Sequence, residues 1–403
     1  MKRHPLLIVA VLVWVSMLAC SQARYAPPAQ APRAYSERGP AAKSLILFIG
    51  DGMGPEILSI AKTYSDKALG KVLNITTLSV TGTMGMASTY SANKLVTDSA
   101  AGATALATGF KTNNGVVGKS PDGQVLANLL EMASRTGKAV GVVTTTTVTD
   151  ATPASFLAHA SARSAEFDIA AQIVETNATV VMGGGRAYFR AVDGGKRSDG
   201  RDLIAEAEAR GFDIAFDKDG LSAAGGKRLL GLFADEDLPF QAERIAYETP
   251  SLSEMLRKAL QMLTGDPDGF VLVIEGGRID HAEHESNLAA ALGEFLELDA
   301  AIGEAMLYQE SDSTLAIVVT ADHDTGAPGI TSSGWGYPGV DAIARLLDKD
   351  VDFVKWLADD HVGTMVPIIA RGPGEGAFEG IQDNTDVNRG MVSILGLRAE
   401  MGQ

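Results

Sequence analysis

A three-layer α/β/α fold with a large, mainly parallel central sheet is the α/β class that this 403-residue chain predicts, on three observations. Short β-branched runs alternate with helical patterns. The runs are apolar without interruption, as strands covered on both faces are. Acidic residues and glycines follow several runs at their carboxyl ends, where open α/β sheets bind ligands.

The chain starts Met1-Lys2-Arg3 and runs apolar over residues 6–19. That stretch is too short to span a bilayer as an ordinary helix and has the pattern of an export signal, so residues 1–20 are set apart from the fold. Cys20 closes Met17-Leu18-Ala19-Cys20, which resembles the lipobox of bacterial lipoproteins with Met17 where Leu is preferred. Use of that motif puts a lipid on Cys20 and ties the chain to the membrane; cleavage at Ser21-Gln22-Ala23 is the alternative. Either way the chain is expected to be exported, to the periplasm or cell envelope. As Cys20 is the one cysteine, no intrachain disulfide can form. Residues 21–43, rich in Ala, Pro, Ser and Arg, read as an extended tether.

Residues 44–403 read as one catalytic domain. Strands are expected at 45–49, 139–145, 179–182, 270–274, 315–320 and 365–370, and helices at 125–134, 153–163, 251–263 and 285–307. Segments 186–200 and 324–360, rich in Gly, polar and aromatic residues, read as small surface insertions. The net charge of −16 argues against a nucleic-acid partner, because phosphate backbones bind basic surfaces.

Histidine placement carries the functional signal. Four of the six histidines lie in Asp-His clusters: His281 and His284 after Asp280, His323 after Asp322, His361 after Asp360. Zinc sites need neutral imidazoles and carboxylates together, which packing or solvation does not require. Asp280 and His284, four apart, share one face of a helical turn. Asp51 sits in the turn Gly50-Asp51-Gly52-Met53-Gly54 after the first strand, where glycines let the backbone approach a ligand. Asp150 and Thr152 follow the 139–145 strand, Glu275 ends the 270–274 strand, and Asp322-His323 follow the 315–320 strand. Distant segments are therefore expected to converge on one sheet edge.

Asp98-Ser99 before a run of small residues reads as a helix start, where either residue is a good cap whatever the chemistry. The same position puts the serine oxygen beside unpaired backbone N–H groups that favour anions. Arg163 is either a surface charge or a planar fork for two phosphate oxygens. His159, with no carboxylate beside it in sequence, reads as structural.

Together the motifs Asp51-Gly52-Met53-Gly54, Asp98-Ser99-Ala100-Ala101, Asp150-Ala151-Thr152-Pro153, Glu275-Gly276, Asp280-His281-Ala282-Glu283-His284, Ala321-Asp322-His323 and His361 resemble the alkaline phosphatase family, in family order. The resemblance implies two Zn2+ and one Mg2+. Asp280, His284 and His361 would hold the first zinc; Asp51, Asp322 and His323 the second; Asp51, Thr152 and Glu275 the magnesium, with Asp150 behind it. Ser99 would be the nucleophile, Arg163 the phosphate-binding arginine, and His281 and Asp150 further contacts on the substrate side. His281 stands where the best-known bacterial form has Lys and animal forms have His, and Val362 where the family usually has Thr. Small-molecule phosphate monoesters are the implied substrates and a homodimer the implied assembly. The competing readings are a phosphodiesterase or sulfatase-like hydrolase on the same metal scaffold, and an inert lipoprotein that scavenges phosphate or metal.

A positioned general base supplies about 10²- to 10⁴-fold, whereas zinc lowers the pKa of bound water from about 15.7 to about 7. A serine activated by metal therefore needs no histidine base next to it in sequence.

Overall fold

The computed structural model describes residues 42–191, 195–244, 249–331 and 353–397; the expected export signal and almost all of the expected tether lie outside them. In chain order the strands among the described residues are β1 (Ser44–Gly50), β2 (Thr83–Ser88), β3 (Ala139–Thr147), β4 (Val180–Gly184), β5 (Phe212–Ala215), β6 (Arg228–Leu232), β7 (Phe270–Gly276), β8 (Leu315–Thr320), β9 (Asp324–Thr325), β10 (Gly329–Ile330), β11 (Val354–Lys355), β12 (His361–Val362), β13 (Val366–Arg371) and β14 (Gly380–Asp383). Ten of them form one sheet in the order β14-β2-β13-β8-β1-β7-β3-β4-β6-β5. All its pairings are parallel except those of β13 with β8 and β2.

Every residue of β1, β7 and β8 is buried, as their unbroken apolar sequences require. Helices cover the sheet with their apolar faces. In Leu252–Leu263, Leu252, Met255, Leu256, Ala259, Leu260 and Leu263 recur at helical spacing and are buried, and a capping box between Ser251 and Glu254 starts the helix. Each Leu or Ile so buried contributes roughly 1.5–3 kcal/mol before chain entropy is counted.

The six expected strands all form, to within a few residues, and β2, β5, β6 and β14 extend the sheet beyond them. The helices shift more. The one expected at 125–134 begins at Leu129, where Asn128 and Glu131 form a capping box. The one expected at 285–307 is Leu288–Ser311, separated from the preceding Arg278–His284 helix by Ser286 at φ 51°. The stretch 153–163 is not one helix: Ala151–Leu157 ends at Ala158, whose extended backbone (φ −152°) puts His159 and Arg163 in the following loop. The expected insertion at 186–200 contains a 3-10 turn, Arg186–Phe189. Much of that at 324–360 lies outside the described residues; its two flanks pair through β10 and β11.

Four adjacent strands, β8, β1, β7 and β3, run parallel in close register: Ile49 lies opposite both Glu275 and Thr320, and Glu275 opposite Thr144. Their carboxyl ends are flush, so the loops that leave them share one edge.

Candidate active site

Ser99 is the first residue of the helix Ser99–Thr108, and Asp98 caps it by accepting from Ala101 N at 3.0 Å. The other Asp98 oxygen accepts from Gly115 N at 2.8 Å, which ties the turn to the next loop. Every residue of this helix is buried. A Cβ on Gly102 would come within 2.7 Å of the Asp322 carbonyl oxygen. Small residues thus let the helix rest directly on the loop after β8, and Ser99 Oγ comes to 3.1 Å from His323 Nε2. Gly52 serves the turn after β1 in the same way. It has φ 76°, and a Cβ there would lie 3.0 Å from the Cα of Asp280.

Two groups of ligand atoms meet beside Ser99. In the first, His323 Nε2 lies 3.3 Å from both Asp51 Oδ1 and Asp322 Oδ2. In the second, Asp280 Oδ1 is 3.4 Å from His284 Nε2 and 3.7 Å from His361 Nε2, and the two histidine nitrogens are 3.1 Å apart. Donors about 2.0–2.2 Å from a tetrahedral zinc lie about 3.3 Å from one another. These separations, 3.1 to 3.7 Å, bracket that value, so the residues fit the metal that their chemistry implies.

The outward ring nitrogens complete the fit. His284 Nδ1 bonds the Asp359 carbonyl at 3.0 Å and His361 Nδ1 the Thr97 carbonyl at 2.9 Å, so each ring presents Nε2 to the site. Thr325 Oγ1 donates to Asp280 Oδ1 at 2.5 Å and accepts from His323 Nδ1 at 3.1 Å, linking the two groups. Burial, then the neighbouring His361 and Arg163, holds the His323 pKa well below the usual imidazole range, leaving a neutral ring. Metal coordination requires that form.

Asp51 belongs to a third grouping. Its Oδ2 accepts from Thr152 Oγ1 at 3.3 Å, and Glu275, bonded by Thr144 and Thr146, is near enough to raise its pKa. Burial is the largest cause of that rise, followed by Asp322, Asp280 and Glu275. Burial pushes Asp322 up as well, and takes Glu275 to about 8. Asp51 Oδ1, Asp322 Oδ2 and Glu275 Oε1 are buried without a hydrogen-bond partner. Unpartnered buried carboxylate oxygens on this scale mark a place for cations.

Arg163 faces this edge from its loop. It donates to Asp150 Oδ1 at 2.7 Å and lies 3.8 Å from Asp98 Oδ2. Both carboxylates are helix N-caps, so the guanidinium sits beside the amino ends of two helices. Such a place suits an anion with several oxygens.

Comparison with known proteins agrees with this geometry. The family model for alkaline phosphatase matches residues 42–354. The chain is 33% identical to alkaline phosphatase H of Pseudomonas aeruginosa over 89% of this chain and 86% of that one. The chain belongs to the alkaline phosphatase family. It is also 36% identical to streptomycin-6-phosphate phosphatase of Streptomyces griseus over 98% of both chains. A histidine-to-aspartate variant of the TAB5 alkaline phosphatase from an Antarctic bacterium, solved with Mg bound in its M3 site, superposes with a TM-score of 0.77 at 29% identity, covering 90% of this chain and all of that one (100%). Like its family, this enzyme is a metal-using hydrolase of phosphate monoesters.

All the site residues expected from sequence lie at this edge of the phosphatase. His159 does not join them; its ring bonds the Gly118 carbonyl and Glu131, a carboxylate near it in space and not in sequence. Sequence reasoning missed Thr325, which bonds Asp280 and His323, Thr144 and Thr146, which bond Glu275, and Asp237 and Arg278, which contact His281. Thr325 stands two residues after His323 and could have been found from that spacing; Asp237 had no signal beyond its charge.

Proposed function

We propose that Ser99 is the nucleophile of a two-zinc, one-magnesium phosphomonoesterase, with Asp280, His284 and His361 holding one zinc, Asp51, Asp322 and His323 the other, and Asp51, Thr152 and Glu275 the magnesium. The observation that carries this reading is the 3.1 Å approach of buried Ser99 Oγ to His323 Nε2, the nitrogen shared with Asp51 and Asp322. Bound zinc supplies a lowered pKa for oxygen ligands and positive charge against the transferring phosphoryl group.

The chain's own groups do the rest. Ser99 Oγ gives up its proton to solvent and attacks phosphorus in line, forming a phosphoserine as the P–O bond to the alcohol breaks and the leaving oxygen takes a proton from solvent. Arg163 and the N–H groups at the start of the Ser99–Thr108 helix hold the non-bridging oxygens. Water then attacks from the side the alcohol left, releasing phosphate and restoring the serine. The protein grips the phosphoryl group and not the alcohol, so a broad range of monoesters is expected.

Arg163 favours monoesters over the diesters and sulfate esters of the competing hydrolase reading, because a monoester offers one more anionic oxygen. Turnover of p-nitrophenyl phosphate, as kcat/KM, should exceed that of bis-p-nitrophenyl phosphate by more than about tenfold, the value of one charge-assisted hydrogen bond. Faster diester turnover overturns the monoester reading. Arg163→Ala should raise KM for p-nitrophenyl phosphate by about 10- to 100-fold, on the same scale. An unchanged KM removes Arg163 from the substrate side.

The signal-like residues 1–20 and the Cys20 motif support export with a lipid anchor, and the family resemblance supports a homodimer. Among the described residues no helix is long and apolar enough to cross a membrane.

A further inference from the structure

The loop after β6 carries Asp237, which takes part in none of the metal groups yet contacts two separate elements. Its Oδ1 accepts from Thr147 N, at the end of β3, at 2.9 Å. Its Oδ2 accepts from Arg278 Nη1 at 3.0 Å and lies 3.4 Å from His281 Nδ1, both on the Arg278–His284 helix. Arg278 Nη1 in turn donates to His281 Nδ1 at 2.8 Å, and its guanidinium lies 4.0 Å from the centre of the Phe240 ring. The opposite ring nitrogen, His281 Nε2, points toward Asp150 Oδ2 at 3.9 Å, on the carboxylate that Arg163 also binds.

Arg278 Nη1 can only donate, and at 2.8 Å it is a nearer neighbour of His281 Nδ1 than Asp237 Oδ2 at 3.4 Å, so the favoured ring is the neutral tautomer that accepts at Nδ1 and carries its hydrogen on Nε2. The opposite tautomer, with its hydrogen on Nδ1, would set that hydrogen against the Arg278 N–H and leave Nε2 an acceptor.

We propose that Asp237 and Arg278 are positioning residues that lock the His281 ring so that Nε2–H is presented beside Asp150 and Arg163 as a further donor to the phosphoryl oxygens. This rests on the reading that puts His281 on the substrate side. The lock matters because an imidazole free to flip would present a donor for part of the time, and the lost orientation weakens grip on phosphate without touching the metals. Thr147 N also anchors the lock to the sheet, so the donor is held at a fixed distance from the edge where Ser99 lies.

A double-mutant cycle tests it. The competitive inhibition constant of inorganic phosphate is measured on the metal-loaded enzyme for the parent, Asp237→Asn, His281→Ala and the double variant, at one pH, beside kcat, zinc content and the thermal midpoint. Asn keeps an oxygen for Thr147 N. Asp237→Asn should weaken phosphate binding by about tenfold, as loss of a group that orients a neighbouring imidazole commonly does, with zinc content and midpoint unchanged. In the His281→Ala background the same change should alter the constant by less than about twofold. Arg278→Met should reproduce the loss and add nothing to Asp237→Asn. Equal effects of Asp237→Asn in both backgrounds overturn the proposal, since Asp237 then acts without His281. So does weakened binding in His281→Ala with none in Asp237→Asn. Unchanged phosphate binding in His281→Ala instead removes His281 from the substrate side and takes the proposal with it.

Discussion

Replacing Ser99 by Ala should lower kcat/KM for p-nitrophenyl phosphate by at least about 10³-fold, the scale at which loss of a nucleophile leaves only binding and electrostatic stabilisation. The fold should hardly notice. Asp98, not Ser99, caps the helix, and among the described residues the Ser99 side chain bonds only the His323 side chain, so stability should stay within about 1 kcal/mol of the parent. Acid quenching with ³²P-labelled substrate should trap label on the parent chain and none on Ser99→Ala. A variant that keeps a tenth of the parent rate, or a parent that traps no label, would remove the phosphoserine step. The same experiment separates the enzyme from an inert scavenger, which would bind phosphate equally with or without the hydroxyl.

Legibility differed between parts of the molecule for physical reasons. The strands that build the edge were readable because β1, β7 and β8 are buried on both faces and carry unbroken apolar runs. β2, β5 and β14 were not: Thr83–Ser88 contains Gly85 and two methionines, Phe212–Ala215 is four residues long, and Gly380–Asp383 has one apolar side chain. They pair because neighbours template them. β6, with three buried leucines, was a miss of reading more than of signal. Arg163 was placed on a helix because alanine-rich sequence gives no periodic stripe; the real end comes at Ala158. The candidate ligands stood out because histidines beside aspartates are rare outside metal chemistry. Their supports were not, since Asp237 and Thr144 meet His281 and Glu275 through the sheet across long sequence separations.

Removing the divalent cations should abolish activity and also lower the thermal midpoint, by an amount that grows from pH 6 to pH 9. Asp51, Asp280, Asp322 and Glu275 are at most 6% exposed, and several of their oxygens have no partner. Without cations such carboxylates can stay ionised only at a cost in folding free energy. Burial, with mutual repulsion, raises Asp51 and Asp322 above the ordinary carboxylate range and Glu275 to about 8. A carboxyl group whose folded pKa exceeds its unfolded value near 4.5 favours the folded state fully below that unfolded pKa, and the advantage is lost as pH rises through the folded value. The metal-free protein should therefore weaken steadily between about pH 4.5 and pH 8, as these groups ionise against one another. Bound cations hold the same carboxylates ionised, so the loaded enzyme escapes that loss. At metal concentrations about 1,000 times the dissociation constant each site contributes about 4 kcal/mol, so three contribute about 12 kcal/mol, and with an unfolding entropy of about 2.1 cal/mol/K per residue the midpoint should fall by on the order of 15 °C at pH 8 on stripping. Scanning calorimetry of dialysed metal-free protein against protein reloaded with zinc and magnesium, at pH 6, 7, 8 and 9, reads the difference directly. A gap that stays constant or narrows with rising pH would show that these carboxylates are neutralised by something other than bound cations.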